Sequence, residues 1–392
     1  MNVLLVYEAS FARYGGTQTY LRKIAAGLKE RGINVYVAYP LYAEDENLSV
    51  EGAISIPFKQ KRFPNYGTNV KTFLNSFNNS ILQIIEKKQI DIIHVIFGWF
   101  AFALIDYSKI NRAGIKCFVT IHNVPPQESA SSFKGDSLYR RGIELVKYSL
   151  RIIRSFIQIQ MVDKRVGIIV PCENVRKRLN KYLCRNQVFV VPHGYDENLV
   201  NKRNNLTLQK HEYFTVLSVG GIAPGKNQAL LVDVFNSIAE KDRFRVQIAG
   251  GAKRNPRYVE YIKNRVKKEK LDNVFEFYFD CSEEQLIKLY ERADLYVQPS
   301  TDEGFCLTAL DAAAMGLRVV GSDVGEIAKI AQMSGGRIVK YNDANDFRRA
   351  IQELSHATVC KKETGNMITN TYNWNKTIDR ILNIYKTFLT DE

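Results

Sequence analysis

Residues 295–325 read LYVQPSTDEGFCLTALDAAAMGLRVVGSDVG. Two short runs rich in β-formers, 295–298 and 318–321, flank an Ala-rich stretch of helical pattern that opens after a Gly-containing turn. Strand, turn, helix and strand in that order form the repeating unit of a parallel α/β sheet. The turn also carries chemistry. Glu303 stands on it, and Asp311 follows eight positions later inside the helix. The N–H groups of Gly304, Phe305, Cys306, Leu307 and Thr308 fall at or before the helix N-terminus, where unpaired donors and the helix dipole favour an anion. A phosphate there, with carboxylates on either side to accept from hydroxyls, suits a sugar nucleotide. The same residues also spell a capping box, with Thr308 as N-cap and Asp311 at the third helical position. On this stretch alone both readings stand.

Outward from it the alternation continues to both ends. Strand candidates fall at 3–7, 34–38, 91–95, 116–121, 167–170 and 188–191, then at 214–219, 245–249, 274–278, 295–298 and 318–321. The polar stretch 196–211, DENLVNKRNNLTLQKH, separates the two series. Two Rossmann-like α/β domains joined by a linker are expected, facing across a cleft at the C-terminal ends of their strands.

The 392 residues are ordinary in composition, with 45% hydrophobic and 24% charged. MNVLLVYEAS has too short an apolar run and no basic lead, so it reads as a first strand, not a signal peptide. No stretch approaches the ~18 consecutive apolar residues of a membrane span. The six cysteines show no paired metal-ligand spacing, and a reducing cytosol is the natural compartment. The net charge of +14 is unevenly placed: 27 Lys+Arg stand against 14 Asp+Glu over residues 1–190, and 28 against 27 over 191–392. That asymmetry points the first half at an anionic neighbour, or simply at a solvated basic surface.

Gly15 and Gly16 precede the helical pattern TQTYLRKIAAGLKERG, where a ligand phosphate could approach the backbone closely. GGIAPGKN, residues 220–227, nearly matches a P-loop, but Asn227 stands where the metal-binding Ser/Thr belongs. The next strand, RVQIAGG, ends without an acidic ligand, so a P-loop ATPase is rejected and Lys226 is kept as a diphosphate partner. His122 in IHNVPP follows an apolar strand, placed either to serve a sugar hydroxyl or to be satisfied by local backbone. VVPHGYD, residues 190–196, reads as a structural turn at the domain junction. Residues 134–165 hold eight Lys/Arg against three Asp/Glu, with Tyr139, Ile143, Val146, Leu150, Ile153 and Ile157 on one helical stripe. Arg140, Lys147, Arg151 and Arg154 run beside it. Such a helix packs in the domain interior or lies at an anionic membrane surface.

In order along the chain, GGTQTYLRKIAAGLKERGINVYV, DIIHV, TIHNVP, VPCENVRKRL, VVPHGYD, SVGGIAPGKN, LYERADLYVQPS, EGFCLTALDAAAMGLRVVGSDVGEI and NWNKTIDRILNIY resemble the family-four retaining glycosyltransferases of the GT-B fold. The resemblance implies an acceptor-binding N-terminal domain (1–197), a nucleotide-sugar-binding domain (198–372) and a C-terminal helix (373–392) crossing back to the first. It gives Glu303 the donor-sugar hydroxyls, the amides of Gly304 to Leu307 the sugar and phosphate, and Asp311 the ribose. Lys226 takes the diphosphate, Gly15 and Gly16 the phosphate side facing the acceptor, and His122 a place near the donor sugar. Glu303, His122 and Lys226 form the expected catalytic set, with Thr308 among the donor-binding residues. Retention would proceed by front-face attack without a metal, and no D-x-D element is present. Three positions depart from the family pattern: Gly221 where an Arg is usual, Asp311 for Glu, and Cys306 where Gly is common. Losing one diphosphate cation costs a few kcal/mol of charge-assisted binding, for which Lys253 or Arg254 could compensate.

The expected activity is therefore transfer of a hexose from a nucleotide-diphosphate sugar to a glycan or lipid-linked acceptor in cell-surface glycoconjugate synthesis. The protein would be cytoplasmic, peripheral at the inner face of the membrane through its basic domain, with no cofactor and no nucleic-acid partner. The alternatives are a catalytically silent GT-B binding subunit of a glycosylation complex and a nucleotide-sugar epimerase on the same fold.

Overall fold

The structure is a computed structural model that describes residues 1–7, 15–41, 50–59, 70–97, 106–112, 114–124, 133–160, 162–183, 187–203, 212–253, 255–356 and 361–390. The first series of elements is β1 (Asn2–Tyr7), α1 (Gly16–Glu30), β2 (Asn34–Leu41), β3 (Ile54–Lys59), α2 (Val70–Lys88), β4 (Ile92–Phe97), α3 (Tyr107–Arg112), β5 (Lys116–Ile121), α4 (Leu138–Gln160), β6 (Gly167–Val170), α5 (Glu173–Leu179) and β7 (Val188–Val190). The second is α6 (Glu197–Arg203), β8 (Phe214–Val219), α7 (Ala229–Asn236), β9 (Phe244–Gly250), α8 (Pro256–Lys268), β10 (Phe275–Phe279), α9 (Glu283–Arg292), β11 (Leu295–Gln298), α10 (Leu307–Ala314), β12 (Arg318–Ser322), α11 (Ile327–Met333), β13 (Arg337–Val339), α12 (Ala344–Ser355) and α13 (Lys361–Thr371). A last helix, α14 (Trp374–Thr390), follows.

The chain divides into two compact units. One comprises Met1–Pro125, Ile152–Gly194 and Trp374–Glu392; the other comprises Pro126–Arg151 and Tyr195–Asn373. The first holds a seven-stranded sheet in the order β3-β2-β1-β4-β5-β6-β7, the second a six-stranded sheet in the order β10-β9-β8-β11-β12-β13. Every strand pairing is parallel, with registers such as Val3↔Val35 and Val3↔Ile92 in the first sheet and Leu295↔Val216 in the second. Central strands such as VLLVY of β1 and LYVQ of β11 are buried throughout, as parallel strands covered on both faces must be.

Strand order reverses beside β1 in the first sheet and beside β8 in the second. Such reversals open a crevice outside the strands' C-terminal ends. In the second unit the two strands flanking the reversal are β8, which leads to Lys226, and β11, which leads to Glu303.

In the first unit α1 buries Tyr20, Leu21, Ile24, Ala25 and Leu28 on one stripe, and α14 lays Trp374, Ile378, Ile381 and Tyr385 into the same core. The two helices approach closely: a Cβ at Gly27 would fall 1.9 Å from Cδ1 of Ile378. The expected last helix is thus part of the first unit. The polar stretch after residue 196 opens with α6, and residues 204–211 lie outside those described. Two strands absent from the sequence reading, β3 and β13, are both at sheet edges, where Ile54 and Ile338 are exposed. Among the described residues no helix is long and apolar enough to cross a membrane.

Candidate active site

In the second unit the site is built from two loops at neighbouring strand ends. Beyond β8 the chain turns through Gly220 and Gly221 into a short 3-10 turn, Pro224–Lys226. Gly250, at the end of β9, has φ +150°, and a Cβ there would lie 1.8 Å from the Gly220 carbonyl oxygen, so a side chain is barred. Beyond β11, the Thr301 N–H donates to the Gly225 carbonyl at 2.9 Å and its hydroxyl donates to the same oxygen at 3.1 Å. The two loops are therefore tied together. That tie brings Lys226 Nζ to 2.5 Å from Glu303 Oε1.

A polar line leads into this pair. Ser300 Oγ donates to Glu303 Oε1 at 2.7 Å, and Gln298 Nε2 donates to Ser300 Oγ at 2.6 Å. Tyr296 Oη lies 2.6 Å from Gln298 Oε1, 2.8 Å from Thr308 Oγ1 and 3.1 Å from the Val219 carbonyl oxygen. Tyr296, Gln298 and Ser300 are all buried. The side chain of Glu303 is 9% exposed and that of Lys226 30%. Burial alone would draw the Lys226 ammonium down, but Glu303 beside it reverses the sign and leaves it above the usual lysine value. Lys226 keeps enough exposure to meet an incoming anion.

The loop bearing Glu303 is held from behind. Glu326 N–H donates to the Phe305 carbonyl at 3.1 Å, and Tyr372 Oη donates to Glu326 Oε1 at 2.7 Å. Gly325 has φ +59°, and a Cβ there would press to 3.0 Å on Glu303 Cβ and 3.1 Å on Phe305 N. α10 then begins. Its N-cap is Cys306, at φ 80° and ψ 74°, with no side-chain cap hydrogen bond. The capping box is therefore excluded. Thr308 is the second helical residue and turns its hydroxyl to Tyr296, while Asp311 Oδ1 accepts the Asp196 N–H at 2.8 Å. A cysteine in left-handed backbone is strained, as befits a position where glycine is common. Its thiol is buried, which pushes it up to about 12.

The first unit carries a different assembly. Gly15 is the N-cap of α1 in extended backbone, and Gly16 is its first residue. His122 follows β5, and its Nε2 is buried without a hydrogen-bond partner. The Tyr20 ring meets His122 edge-on at 4.9 Å and His193 at 4.9 Å, and His193 stacks on Trp374 at 5.8 Å. Behind them runs a buried relay. Tyr20 Oη is 3.2 Å from Thr120 Oγ1, which is 2.6 Å from His94 Nε2, and His94 Nδ1 is 2.5 Å from Tyr385 Oη. Burial lowers His94 to about 3 and His122 to about 4, and holds His193 well below its ordinary value. All three imidazoles are neutral at neutral pH.

The structure thus gathers Lys226, Glu303, Thr308 and the start of α10 in one unit, and Gly15, Gly16 and His122 lie in the other. Lys253, proposed as a compensating cation, is 88% exposed with Nζ 3.7 Å from Asp280 Oδ2; Arg254 lies outside the described residues. Sequence reasoning missed Ser300, Gln298 and Tyr296, although Tyr296 and Gln298, two apart on β11, share one face and Ser300 follows two residues later. It also read His193 as merely part of a turn.

Comparison with known proteins bears on the whole chain. The family described as "Glycosyltransferase Family 4" matches residues 14–199, and "Glycosyl transferases group 1" matches residues 201–374. The alpha-monoglucosyldiacylglycerol synthase of Streptococcus pneumoniae is 26% identical over 339 residues, covering 82% of this chain and 70% of that protein. Among solved structures, sucrose-phosphate synthase of Thermosynechococcus elongatus superposes with a TM-score of 0.78 at 19% identity over 100% of both chains. HepE of Anabaena, solved with UDP and glucose, gives 0.70 at 14% identity over 98% of this chain and 99% of its own. Two parallel-sheet α/β units, each matched by its own half of the family, make this chain a GT-B glycosyltransferase of family four, acting on sugar donors.

Proposed function

We propose that the chain is a retaining hexosyltransferase that moves a hexose from a nucleotide-diphosphate sugar to a glycan or lipid-linked acceptor, working as a peripheral protein at the cytoplasmic membrane. The observation that carries it is the Lys226–Glu303 pair at the two strand ends beside the reversal of the second sheet, next to the start of α10. One cation suits a diphosphate, one carboxylate suits sugar hydroxyls, and the amides of Gly304 to Leu307 suit the charge between them. HepE with UDP and glucose supports the donor class, and the streptococcal synthase supports a lipid acceptor.

In this reading the bond from the anomeric carbon to the diphosphate oxygen breaks as the acceptor oxygen bonds the same carbon on the same face. The acceptor's proton passes to the departing diphosphate. Lys226 and the α10 amides stabilise the leaving charge, Glu303 orients the sugar through its hydroxyls, and Asp311 serves the ribose. Gly15 and Gly16 leave room for the phosphate side, and His122 offers a neutral imidazole to the sugar. No metal takes part.

Purified protein incubated with a panel of nucleotide sugars should release nucleoside diphosphate from one of them, faster with acceptor present, and EDTA should leave the rate unchanged. Nucleoside diphosphate binding without turnover of any donor would leave a binding subunit. Donor isomerisation without acceptor would leave an epimerase.

A further inference from the structure

Among the described residues thirteen large hydrophobic side chains are exposed, and nine of them lie on α4. They are not scattered. Tyr139, Val146, Leu150, Ile153 and Ile157 repeat at seven, four, three and four residues and so share one helix face. Leu138 and Tyr139, at the start of the helix, are 83% and 80% exposed. The apolar stripe that the sequence left open between core and surface therefore faces outward.

Charge follows the same division. Residues 134–160 contain six Lys/Arg and two Asp/Glu. Both acids are turned inward. Asp136 has a side-chain exposure of 1% and is held by Arg257 at 2.8 Å, with Arg140 at 3.7 Å. Glu144, the helix's only acid, is buried and accepts from Lys147 at 3.0 Å. Arg140, Arg141 and Lys147 themselves are exposed. The helix start is pinned within the second unit, since Phe133 packs against Tyr258 and Tyr261 at 5.2 and 4.8 Å. A 23-residue helix is about 34 Å long at ~1.5 Å per residue, yet it is not apolar enough to span a bilayer.

We infer that α4 is a docking helix for an anionic lipid bilayer. It lies in the headgroup plane with its outer stripe inserted about 5–10 Å and with Arg140 and Lys147, beside that stripe on the helix, on lipid phosphates. A fluid surface requires an apolar strip bordered by positive charge, and the first 190 residues, with 27 basic against 14 acidic groups, extend that attraction. The inference specifies the element behind the peripheral placement proposed above. It stands apart from the donor chemistry, because its readout is binding and not turnover.

The test is co-sedimentation of the full-length protein with vesicles of phosphatidylglycerol and phosphatidylcholine, against vesicles of phosphatidylcholine alone. Binding should be at least tenfold tighter to the anionic vesicles and should weaken as salt rises. The triple variant Val146→Ser/Leu150→Ser/Ile153→Ser should lose at least tenfold in vesicle affinity. Its thermal unfolding should match the parent, because the three side chains are exposed. Lys147→Gln, which removes one charge beside the stripe, should lose about fivefold. Absent binding, binding that ignores lipid charge, or binding unaffected by the triple variant would overturn the inference. So would a dimer in sedimentation velocity that the triple variant dissolves while vesicle binding stays absent.

Discussion

The two units solve the problem of polar groups at strand ends in opposite ways. In the second, Glu303 holds the Lys226 ammonium charged against burial, and the Ser300–Gln298–Tyr296 line leads into the pair. In the first, His94, His122 and His193 are kept neutral by burial, and polarity passes through hydroxyls and imidazoles from Tyr385 to Tyr20. A departing diphosphate needs fixed charge, whereas an acceptor hydroxyl needs partners that do not take its proton permanently. For the transfer proposed above, the contrast suits a division of labour in which one unit holds the leaving group and the other the nucleophile.

The sharpest way to break this contrast is at Glu303. Glu303→Ala should lower transfer by about 10²–10³-fold while leaving nucleoside diphosphate affinity within a few-fold, because Lys226 remains and is freed. Steady-state kinetics beside calorimetric titration would show it. Near-normal transfer would remove Glu303 from the mechanism.

Acid should act on the other unit. Unfolded histidines titrate near 6.5, but His122 and His94 do so at about 4 and about 3 in the fold. Between those values the unfolded chain binds protons that the folded chain does not. Their contribution is therefore fully present above pH ~6.5 and is lost progressively as pH falls toward the folded values, at up to ~1.4 kcal/mol per pH unit for each histidine. Hydrogen exchange at pH 7 and 5 should show the first unit loosening first. Earlier opening of the second unit would contradict the division.

The smallest expected effect sharpens the charged side. Nothing lies within 4 Å of a Cβ built on Gly221. Gly221→Arg should fit there and tighten nucleoside diphosphate binding about five- to tenfold, an increment that shrinks with salt. An unchanged Kd would mean that a cation at this position does not face the diphosphate.

Much of this was legible before any coordinates. The stretch from 295 to 325 announced strand, turn, helix and strand, and the inner strands of both sheets carry apolar runs that cannot be read otherwise. Lys226 and Glu303 were legible because each follows such a run. The edge strands β3 and β13 were not, since an exposed edge lacks the continuous apolar signal, and ISIPFK even carries Pro57. The start of α10 was misread as a possible Thr308 cap because a cysteine at φ 80° has no sequence signature; tertiary packing behind Gly325 and Glu326 imposes it. Ser300 and Gln298 stayed hidden for a related reason. Their roles exist only once Glu303 folds back over the strand end. For α4, apolar residues occupy so much of the helix circumference that periodicity alone could not tell its inner face from its outer one.

The seating of α14 has a consequence for how the protein is made. Trp374, Ile378, Ile381 and Tyr385 belong to the core built by β1, α1 and β4, and Gly27 is cut to receive Ile378. Those residues leave the ribosome only after all of the second unit has been synthesised. The first unit is therefore begun first and completed last. While β8 to α13 are being translated, the groove on α1 stands open, with Tyr20 lacking Trp374 and Gly27 lacking Ile378. A chain halted before α14 would carry an intact second unit and an unsealed first one, the kind of nascent species that chaperones bind.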